Sequence, residues 1–198
     1  MSSILLLEET HPGAKIRNSR FRFYQEIISD YEALRGISPK LRNIISSFIF
    51  NPGFKSVIYF RLQMLAQSYE LMRIAQLISN LNLRVTGAEF CVGASIDSGL
   101  IIRHPNGIVI GGTVTIGKNC ILSQGVTVGQ RYLDNFSATS APNISSNVKI
   151  GANATILGNI QLAEGTTVGA HSLVMTSTAR NQTYVGVPAR MIVSGSHE

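Results

Sequence analysis

The chain has 198 residues, of which 44% are hydrophobic and 14% charged, and it contains two cysteines. This composition fits a globular protein with a sizeable core and excludes an intrinsically disordered chain or a small disulfide-stapled domain. The net charge is +6, and residues 1–84 hold +5 of it, with 11 Lys and Arg against 6 Asp and Glu. No nucleic-acid-binding motif accompanies this charge, so we interpret it as a solvated face and expect no nucleic-acid partner.

Residues 1–84 are predicted to form a helical N-terminal region, with residues 1–20 irregular. Ser38 and Pro39 offer an N-cap followed by a proline at the first helical position. The sequence Asn-Pro-Gly at 51–53 is expected to end that helix, and two apolar runs at helical spacing follow it. No uncharged apolar stretch reaches the ~20 residues that cross a bilayer, and the start lacks the basic segment of a signal peptide. We therefore expect a cytoplasmic location, with a peripheral membrane contact through the basic N-terminal part left open.

Residues 85–193 carry a six-residue repeat. Mostly apolar residues recur at positions 90, 96, 102, 108, 114, 120 and 126, and again two positions after each. This period predicts short parallel strands joined by corners, three of which close one coil of a β-helix. About a dozen units give roughly four coils, a stack about 20 Å tall at the ~4.8 Å spacing of strands. The repeat stops at Gln130 and resumes near Asn147, which predicts a loop over 130–147, and residues 194–198 are a tail. Cys120 falls on the apolar positions and is predicted to be a core residue.

His104 occupies a position of the repeat that is apolar in most other units. The Pro-Asn-Gly sequence at 105–107 favours a coil corner that deviates from the regular path. A histidine satisfied at such a corner is the structural alternative to a functional one. An unperturbed imidazole has a pKa of about 6.5, so it can take a proton from a hydroxyl at neutral pH and act as a general base.

The β-helical region resembles the serine acetyltransferase-like branch of the hexapeptide-repeat acyltransferases. The runs that carry the resemblance are GAEFCVGASIDSGLIIRHPNGIVIGGTVTIGKNCILSQGVTVG, NVKIGANATILGNIQLAEGTTVGAHSLV and YVGVPAR. The resemblance implies a mainly β chain, in which a left-handed parallel β-helix follows an α-helical N-terminal region. It also implies an acyltransferase that assembles as a homotrimer. Acetyl-CoA would be the co-substrate, held in the groove between neighbouring β-helices, and no metal would be required.

The resemblance also implies roles for individual residues. His104 would be the general base, and Glu89 would pair with it and set its tautomer. Their separation along the chain is close to one coil of three repeat units, so stacking would bring them near each other; an exposed acid on the first coil is the alternative for Glu89. The residues that align with the family's acetyl-CoA contacts are Gly129, Gln130, Ala152, Ala170 and Arg190. Glycine and alanine also fit any tight corner, which is the structural alternative for most of this set.

The sequence departs from the family at the residues that hold serine. Arg103 stands where an acid is expected, Gly112 where a Glu is expected, and Ser140 and Ala141 where an Arg-His pair is expected. We therefore expect a small-molecule or glycan acceptor other than free serine, specifically a hydroxyl of a sugar or a surface polysaccharide. Arg103, Arg131 and Tyr132 are the candidate acceptor residues.

Three alternatives remain open at this point. The first is a serine O-acetyltransferase of cysteine biosynthesis, and the second is a non-catalytic trimeric β-helix scaffold. The third is a metal-dependent β-helix hydratase, which needs about three ligands such as histidine. Because the repeat region holds only His104 and His171, it is disfavoured.

Overall fold

The structure, a computed structural model, describes residues 12–131 and 140–192. Within these residues, four helices precede fifteen short strands. The helices are α1 Pro12–Arg35, α2 Leu41–Phe50, α3 Pro52–Ser68 and α4 Met72–Thr86. The strands are β1 Glu89–Phe90, β2 Ser95–Ile96, β3 Ile101–Ile102, β4 Val109–Ile110, β5 Thr115–Ile116, β6 Ile121–Leu122, β7 Thr127–Gly129, β8 Asn143–Ile144, β9 Lys149–Ile150, β10 Thr155–Leu157, β11 Gln161–Leu162, β12 Thr167–Val168, β13 Leu173–Val174, β14 Thr183–Gly186 and β15 Ala189–Ile192.

The helix boundaries differ from the sequence-based prediction at two points. Helix α1 begins at Pro12, so residues 12–20 are helical rather than irregular. Helix α2 begins after Lys40, whose side chain makes no capping hydrogen bond, and not after Ser38. The predicted break at 51–53 is confirmed and also starts the next helix, because Asn51 Oδ1 accepts a hydrogen bond from Phe54 N at 2.9 Å.

The strands form a left-handed parallel β-helix with three sheets, as the family resemblance implies. Sheet A runs β1-β4-β7-β10-β13, sheet B runs β2-β5-β8-β11, and sheet C runs β3-β6-β9-β12-β14-β15. All neighbouring strands are parallel except the terminal pair β14 and β15. Five stacked strands span about 19 Å at the usual spacing, which agrees with the expected height.

The core is a double column of inward side chains, contributed by each strand's last inward residue and the residue two before it. Ile108 and Ile110 are both 0% exposed, and from this pair onward the inward pairs are those that the six-residue repeat predicts, apart from the buried residues at 142 and 144, which fall inside the predicted loop. Before that point the predicted pairing is wrong. The inward pairs of the first coil are Ala88 with Phe90, Ala94 with Ile96, and Leu100 with Ile102, while the predicted partners at 92, 98 and 104 lie outside the core.

Cys120 is a core residue, as predicted. It is a free cysteine with 0% exposure, and its Sγ donates to the Ser145 carbonyl oxygen at 3.3 Å. Burial raises the pKa of this thiol to about 11. It therefore stays protonated at neutral pH and has no role as a nucleophile.

Helix α3 closes the lower end of the β-helix beside strand β3. Val57 and Phe60 belong to the same buried cluster as the first coil, and the Phe60 and Phe90 rings lie 4.9 Å apart. Gly53 permits this contact, because a Cβ at that position would lie 1.9 Å from the Ile102 carbonyl oxygen. The helical region thus fixes the strand that leads into residue 104.

The interruption of the repeat is shorter than predicted. Thr115 pairs with Asn143 across the interruption, and Asn143 then pairs with Gln161 after the regular interval of three repeat units. Regular pairing therefore resumes at Asn143 rather than at 147. The middle of the predicted loop, 132–139, and the predicted tail at 194–198 lie outside the described residues. In the described part of the chain, no helix has both the length and the apolar character that crossing a membrane requires.

Candidate active site

His104 lies at the corner between β3 and β4, where the coil departs from its regular path. Glu89 pairs with Val109, and Val109 pairs with Thr127, so the first step along the chain is two positions longer than the second. The corner after Ile102 therefore contains two additional residues. The deviation that the Pro-Asn-Gly sequence predicts is confirmed, and His104 is an exposed corner residue rather than part of the inward columns.

Main-chain hydrogen bonds to the coil on either side hold this corner. Gly107 N donates to the Gly87 carbonyl oxygen at 2.9 Å, and Gly125 N donates to the Asn106 carbonyl oxygen at 2.9 Å. Gly107 has a φ of 76°, a conformation that glycine adopts without strain. Among the described residues, none forms a hydrogen bond or an ion pair with the His104 imidazole. The ring is therefore held on a rigid corner with both nitrogens available.

Glu89 is half-buried and faces outward from the first strand of sheet A. Its Oε1 lies 4.0 Å from Cys91 Sγ, and no hydrogen bond joins its carboxylate to His104 within the described chain. The local coil is longer than the regular coil on which their expected stacking was based. Burial, and secondarily the charge of Glu89, raise the pKa of Cys91. The structure thus places an acid on the first coil without pairing it to the histidine.

A shallow cavity of about 190 Å³ opens on the outer face of sheet C. Its lining includes Arg103, Ser123, Lys149 and Gly151, and no acidic residue. Arg103 follows β3 directly and precedes His104, so the cavity begins beside the candidate base. Neither Arg103 nor Lys149 has an ion-pair or hydrogen-bond partner for its side chain among the described residues. The β3 end of sheet C therefore carries a cationic surface whose lining contains no acidic residue.

Sequence reasoning missed Ser123 and Lys149. Strand pairing places Ile101, Ile121, Lys149 and Thr167 in one outward column of sheet C. The alternation along the strands identifies both residues as outward-facing, because the predicted register is correct after position 108. That Ser123 stacks beside Arg103 follows only when the two additional residues of the first coil are counted.

The residues predicted to bind acetyl-CoA fall into two groups. Ala152 and Ala170 lie on the same edge as His104, between sheets C and A, and His171 N donates to the Ala152 carbonyl oxygen at 2.8 Å. Gly129 is the last residue of β7 and Gln130 follows it, at the opposite edge of sheet A. Gln130 Nε2 donates to Thr113 Oγ1 at 3.3 Å. A single chain therefore does not bring these two groups together.

Arg190 and the acceptor candidates are also separated. Arg190 is exposed on β15, at the end of sheet C away from β3, and its Nη1 donates to the Ala189 carbonyl oxygen at 2.9 Å. Arg131 lines a different cavity, of about 350 Å³, beside Ser140 and Leu157. Tyr132 lies outside the described residues.

Two departures from the family pattern have a structural basis. A Cβ at Gly112 would lie 2.6 Å from the Val92 carbonyl oxygen, so a Glu side chain does not fit there without a backbone shift. Ala141 is 8% exposed and packs in the β-helix core. In this chain the neighbouring backbone thus crowds position 112, and residue 141 is buried.

Residues 12–131 and 140–192 contain no cluster of three His, Cys, Asp or Glu side chains arranged to hold a metal ion.

No protein-family model matches the chain. The serine acetyltransferase of Synechococcus elongatus is 33% identical over 169 residues, which are 85% of this chain and 68% of that protein. The structure of a soybean serine acetyltransferase complexed with serine superposes with a TM-score of 0.77 and 29% identity, over 86% of this chain and 70% of the other. That of the Brucella abortus enzyme in complex with coenzyme A gives a TM-score of 0.80 and 26% identity, over 89% and 70%.

The histidine at the corner of a left-handed β-helix, the helical region beneath it and this extent of similarity agree with one another. The chain is an acyltransferase and belongs to the serine acetyltransferase family of the hexapeptide-repeat acyltransferases.

Proposed function

We propose that this protein transfers the acetyl group of acetyl-CoA to the hydroxyl of free serine, with His104 as the general base. The observation that carries the proposal is the exposed imidazole of His104 on a rigid corner, with no hydrogen bond to either nitrogen from the described residues. The serine acetyltransferases that resemble the chain over most of its length support the acceptor and the donor.

The chemistry follows from that imidazole. A neutral His104 nitrogen accepts the serine hydroxyl proton while the oxygen attacks the thioester carbonyl carbon. The tetrahedral intermediate then expels the thiolate of CoA, and the imidazolium returns its proton to that sulfur. The products are O-acetylserine and CoA. General-base assistance of this kind contributes roughly 10²- to 10⁴-fold to the rate.

Serine is a better-supported acceptor than the sugar or polysaccharide hydroxyl that the sequence analysis favoured. That expectation was based on the missing serine-holding residues at 103, 112 and 140–141, and no relative reported above is a polysaccharide acetyltransferase. At two of the three departures, Gly112 and Ala141, the residue present is closely packed in this chain. Arg103 is the one that faces a cavity.

The direct test is release of CoA thiol from acetyl-CoA in the presence of serine, glucosamine derivatives or polysaccharide. We expect turnover with serine, and a loss of at least about 100-fold in kcat/KM for His104→Asn. His171→Asn is the matched control, because His171 is also an exposed corner histidine and has a φ of 57° that Asn tolerates. Wild-type turnover by the His104→Asn variant would favour the non-catalytic scaffold, and turnover with sugars alone would restore the sugar acceptor.

We further propose a homotrimer whose subunits complete the acetyl-CoA site for one another. Two observations support it. The predicted contacts at Gly129 and Gln130 lie on the opposite edge of sheet A from Ala152 and Ala170, so a neighbouring copy would have to bring the two edges together. Helix α4 also presents an exposed apolar stripe to its surroundings. The stripe consists of Ile74, Leu77, Leu81 and Val85, which are 45–63% exposed.

A further inference from the structure

We propose that Arg103 recognises the carboxylate of the acceptor, so that the enzyme selects hydroxyl substrates for a negative group and not for an amino group. This inference rests on the acetyl transfer proposed above and names what its acceptor site recognises. It begins from a reversal of charge, since an arginine occupies the position where the family has an acid.

The Arg103 guanidinium is available to bind a ligand. Its side chain has no hydrogen-bond or ion-pair partner among the described residues, unlike Arg61 and Arg180, which pair with Asp30 and Glu164. A guanidinium offers five N–H donors in a planar fork that matches a carboxylate. The cavity that it lines contains Lys149 as a second cation and no acid. A small anion is therefore the ligand that this surface fits.

The position of Arg103 in sheet C distinguishes the acceptor from the phosphates of CoA as its anionic partner. Sheet C runs from β3 to β15 in five strand steps, about 24 Å at the usual spacing. Arg103 lies at the β3 end beside His104, and Arg190 lies at the β15 end. The thioester carbon has to reach His104 for the base to act on the attacking hydroxyl, so the nucleotide phosphates lie away from that end. The anion beside Arg103 then belongs to the acceptor.

The charge at position 103 also affects binding of the acceptor's amino group. An acid at position 103 would attract an ammonium group, whereas the arginine there repels one. Gly112 and Ala141 are uncharged and so add no negative charge to this surface. The carboxylate of serine is thus expected to matter for binding, and its ammonium group is not.

The test compares three acceptors that share a hydroxyl. These are L-serine, D-glycerate, which has a carboxylate and no amine, and L-serinamide, which has an amine and no carboxylate. For the wild-type protein we expect kcat/KM for serinamide to be about 10- to 100-fold below that for serine, the range of a charge-assisted hydrogen bond. D-Glycerate should be acetylated within about tenfold of serine.

Arg103→Met, which keeps length and removes the donors, should raise the KM for serine and glycerate by about 10- to 100-fold. It should not lower turnover of serinamide, and it should leave the KM for acetyl-CoA within about twofold. Arg103→Glu should reverse the preference in favour of serinamide. Lys118→Met, at an exposed lysine outside this cavity, is the matched control and should leave every ratio unchanged.

The two proposals fail separately. If the wild-type protein acetylates serine and serinamide equally, or if Arg103→Met changes only the KM for acetyl-CoA, the role of Arg103 is overturned and acetyl transfer stands. Binding of D-glycerate, measured by NMR without acetyl-CoA, requires no turnover. Binding that depends on Arg103 without any CoA release would overturn the proposed reaction and keep the carboxylate site.

Discussion

Arg61 of α3 and Asp30 of α1 form a fully buried, two-pronged ion pair beneath the first coil. Arg61 Nε and Nη2 donate to the two Asp30 carboxylate oxygens at 2.8 and 3.0 Å, and both side chains are 0% exposed. Asp30 Oδ1 also accepts from Gly99 N and Leu100 N, each at 2.8 Å. Because those amides precede β3, the pair fixes both helices to the strand that leads to His104.

Breaking this buried ion pair should lower the free energy of unfolding by more than breaking an exposed ion pair does. Asp30→Ala removes the closest carboxylate from the buried Arg61 guanidinium, which keeps only Glu26 at 3.6 Å and two backbone carbonyl oxygens as partners. It also leaves two backbone amides without their acceptor, so we expect a loss of about 3–5 kcal/mol in the free energy of unfolding. Urea denaturation followed by circular dichroism measures it. Arg180→Ala, which removes the exposed pair with Glu164, is the control and should cost less than about 1 kcal/mol. Similar losses for the two variants would contradict this account of the helical docking.

Gly53→Ala should also destabilise the protein, although alanine is the better helix former. A Cβ at Gly53 would lie 1.9 Å from the Ile102 carbonyl oxygen, so α3 has to move away from β3. We expect a loss of about 1–3 kcal/mol by urea denaturation, the range for overpacking. At Gly129, where a Cβ meets nothing within 4 Å, the same substitution should change stability by less than about 0.5 kcal/mol. A stabilised Gly53→Ala variant would mean that α3 is not seated on β3.

The six-residue repeat was sufficient to predict the β-helix, because a buried column tolerates little except small and apolar side chains. It failed in the first coil since two additional residues at a solvent-exposed corner disturb no buried contact. The apolar pattern does not show these two residues, and only the proline at 105 and the glycine at 107 indicate an irregular corner. One register carried through His104 therefore shifted each inward pair before it by two positions.

The docking of the helices was not predictable in this way. Asp30 and Arg61 read as ordinary charged residues on amphipathic helices, and only the tertiary structure brings them together across 31 positions. The start of α1 was missed for a related reason, because residues 12–20 lack the apolar spacing that marks a helix. The exposed corner position of His104 was predictable, because the proline and glycine that follow it mark the deviation in the sequence. The cationic cavity was not predicted, because its residues come from different strands that only the stacking of the coils brings together.

The stability of the protein should fall at alkaline pH through Cys120. Its pKa rises from 9.0 to about 11 in the folded protein, so the folded state holds the thiol proton more tightly than the unfolded chain. Stability is therefore intact below pH 9 and is lost progressively between pH 9 and 11, by about 2–3 kcal/mol in total. Urea midpoints measured over this range for the wild type and Cys120→Ala give the difference. An equal alkaline slope in both proteins would exclude Cys120 as its source.

Leu81→Glu should dissociate the proposed homotrimer. The substitution places a charge in the middle of the exposed stripe of α4, where the side chain is 45% exposed in a single chain. We expect a shift towards monomer in sedimentation velocity, together with lower acetyl transfer. Gln76→Glu adds the same charge to the other side of α4 and should keep the wild-type size. If Leu81→Glu keeps that size but loses binding to phosphatidylserine vesicles, the stripe contacts a membrane instead. A peripheral membrane contact of the basic N-terminal part is the alternative that the sequence analysis left open.

Glu89→Gln tests whether the acid on the first coil orients the imidazole of His104, the proposed general base. The two side chains make no hydrogen bond in the described structure, so any pairing has to form once substrates bind. We expect kcat to fall at least about tenfold while the urea midpoint changes little. Glu89→Asp should recover part of the activity because it keeps the charge. A Glu89→Gln enzyme with wild-type kcat would leave Glu89 as an exposed acid without a role.

The same substitution should make Cys91 more reactive, which checks the charge of Glu89 without any turnover. Burial raises the pKa of the Cys91 thiol, and the carboxylate 4.0 Å away raises it further because it repels the thiolate. Removing that charge lowers the pKa part of the way, so a larger fraction of thiolate is present between about pH 8 and 9. Alkylation by iodoacetamide, followed by mass spectrometry of the Cys91 peptide, should therefore be faster in Glu89→Gln. Cys120 in the same digest is the internal reference, and its rate should not change. An unchanged Cys91 rate would mean that the Glu89 carboxylate does not face the thiol in solution.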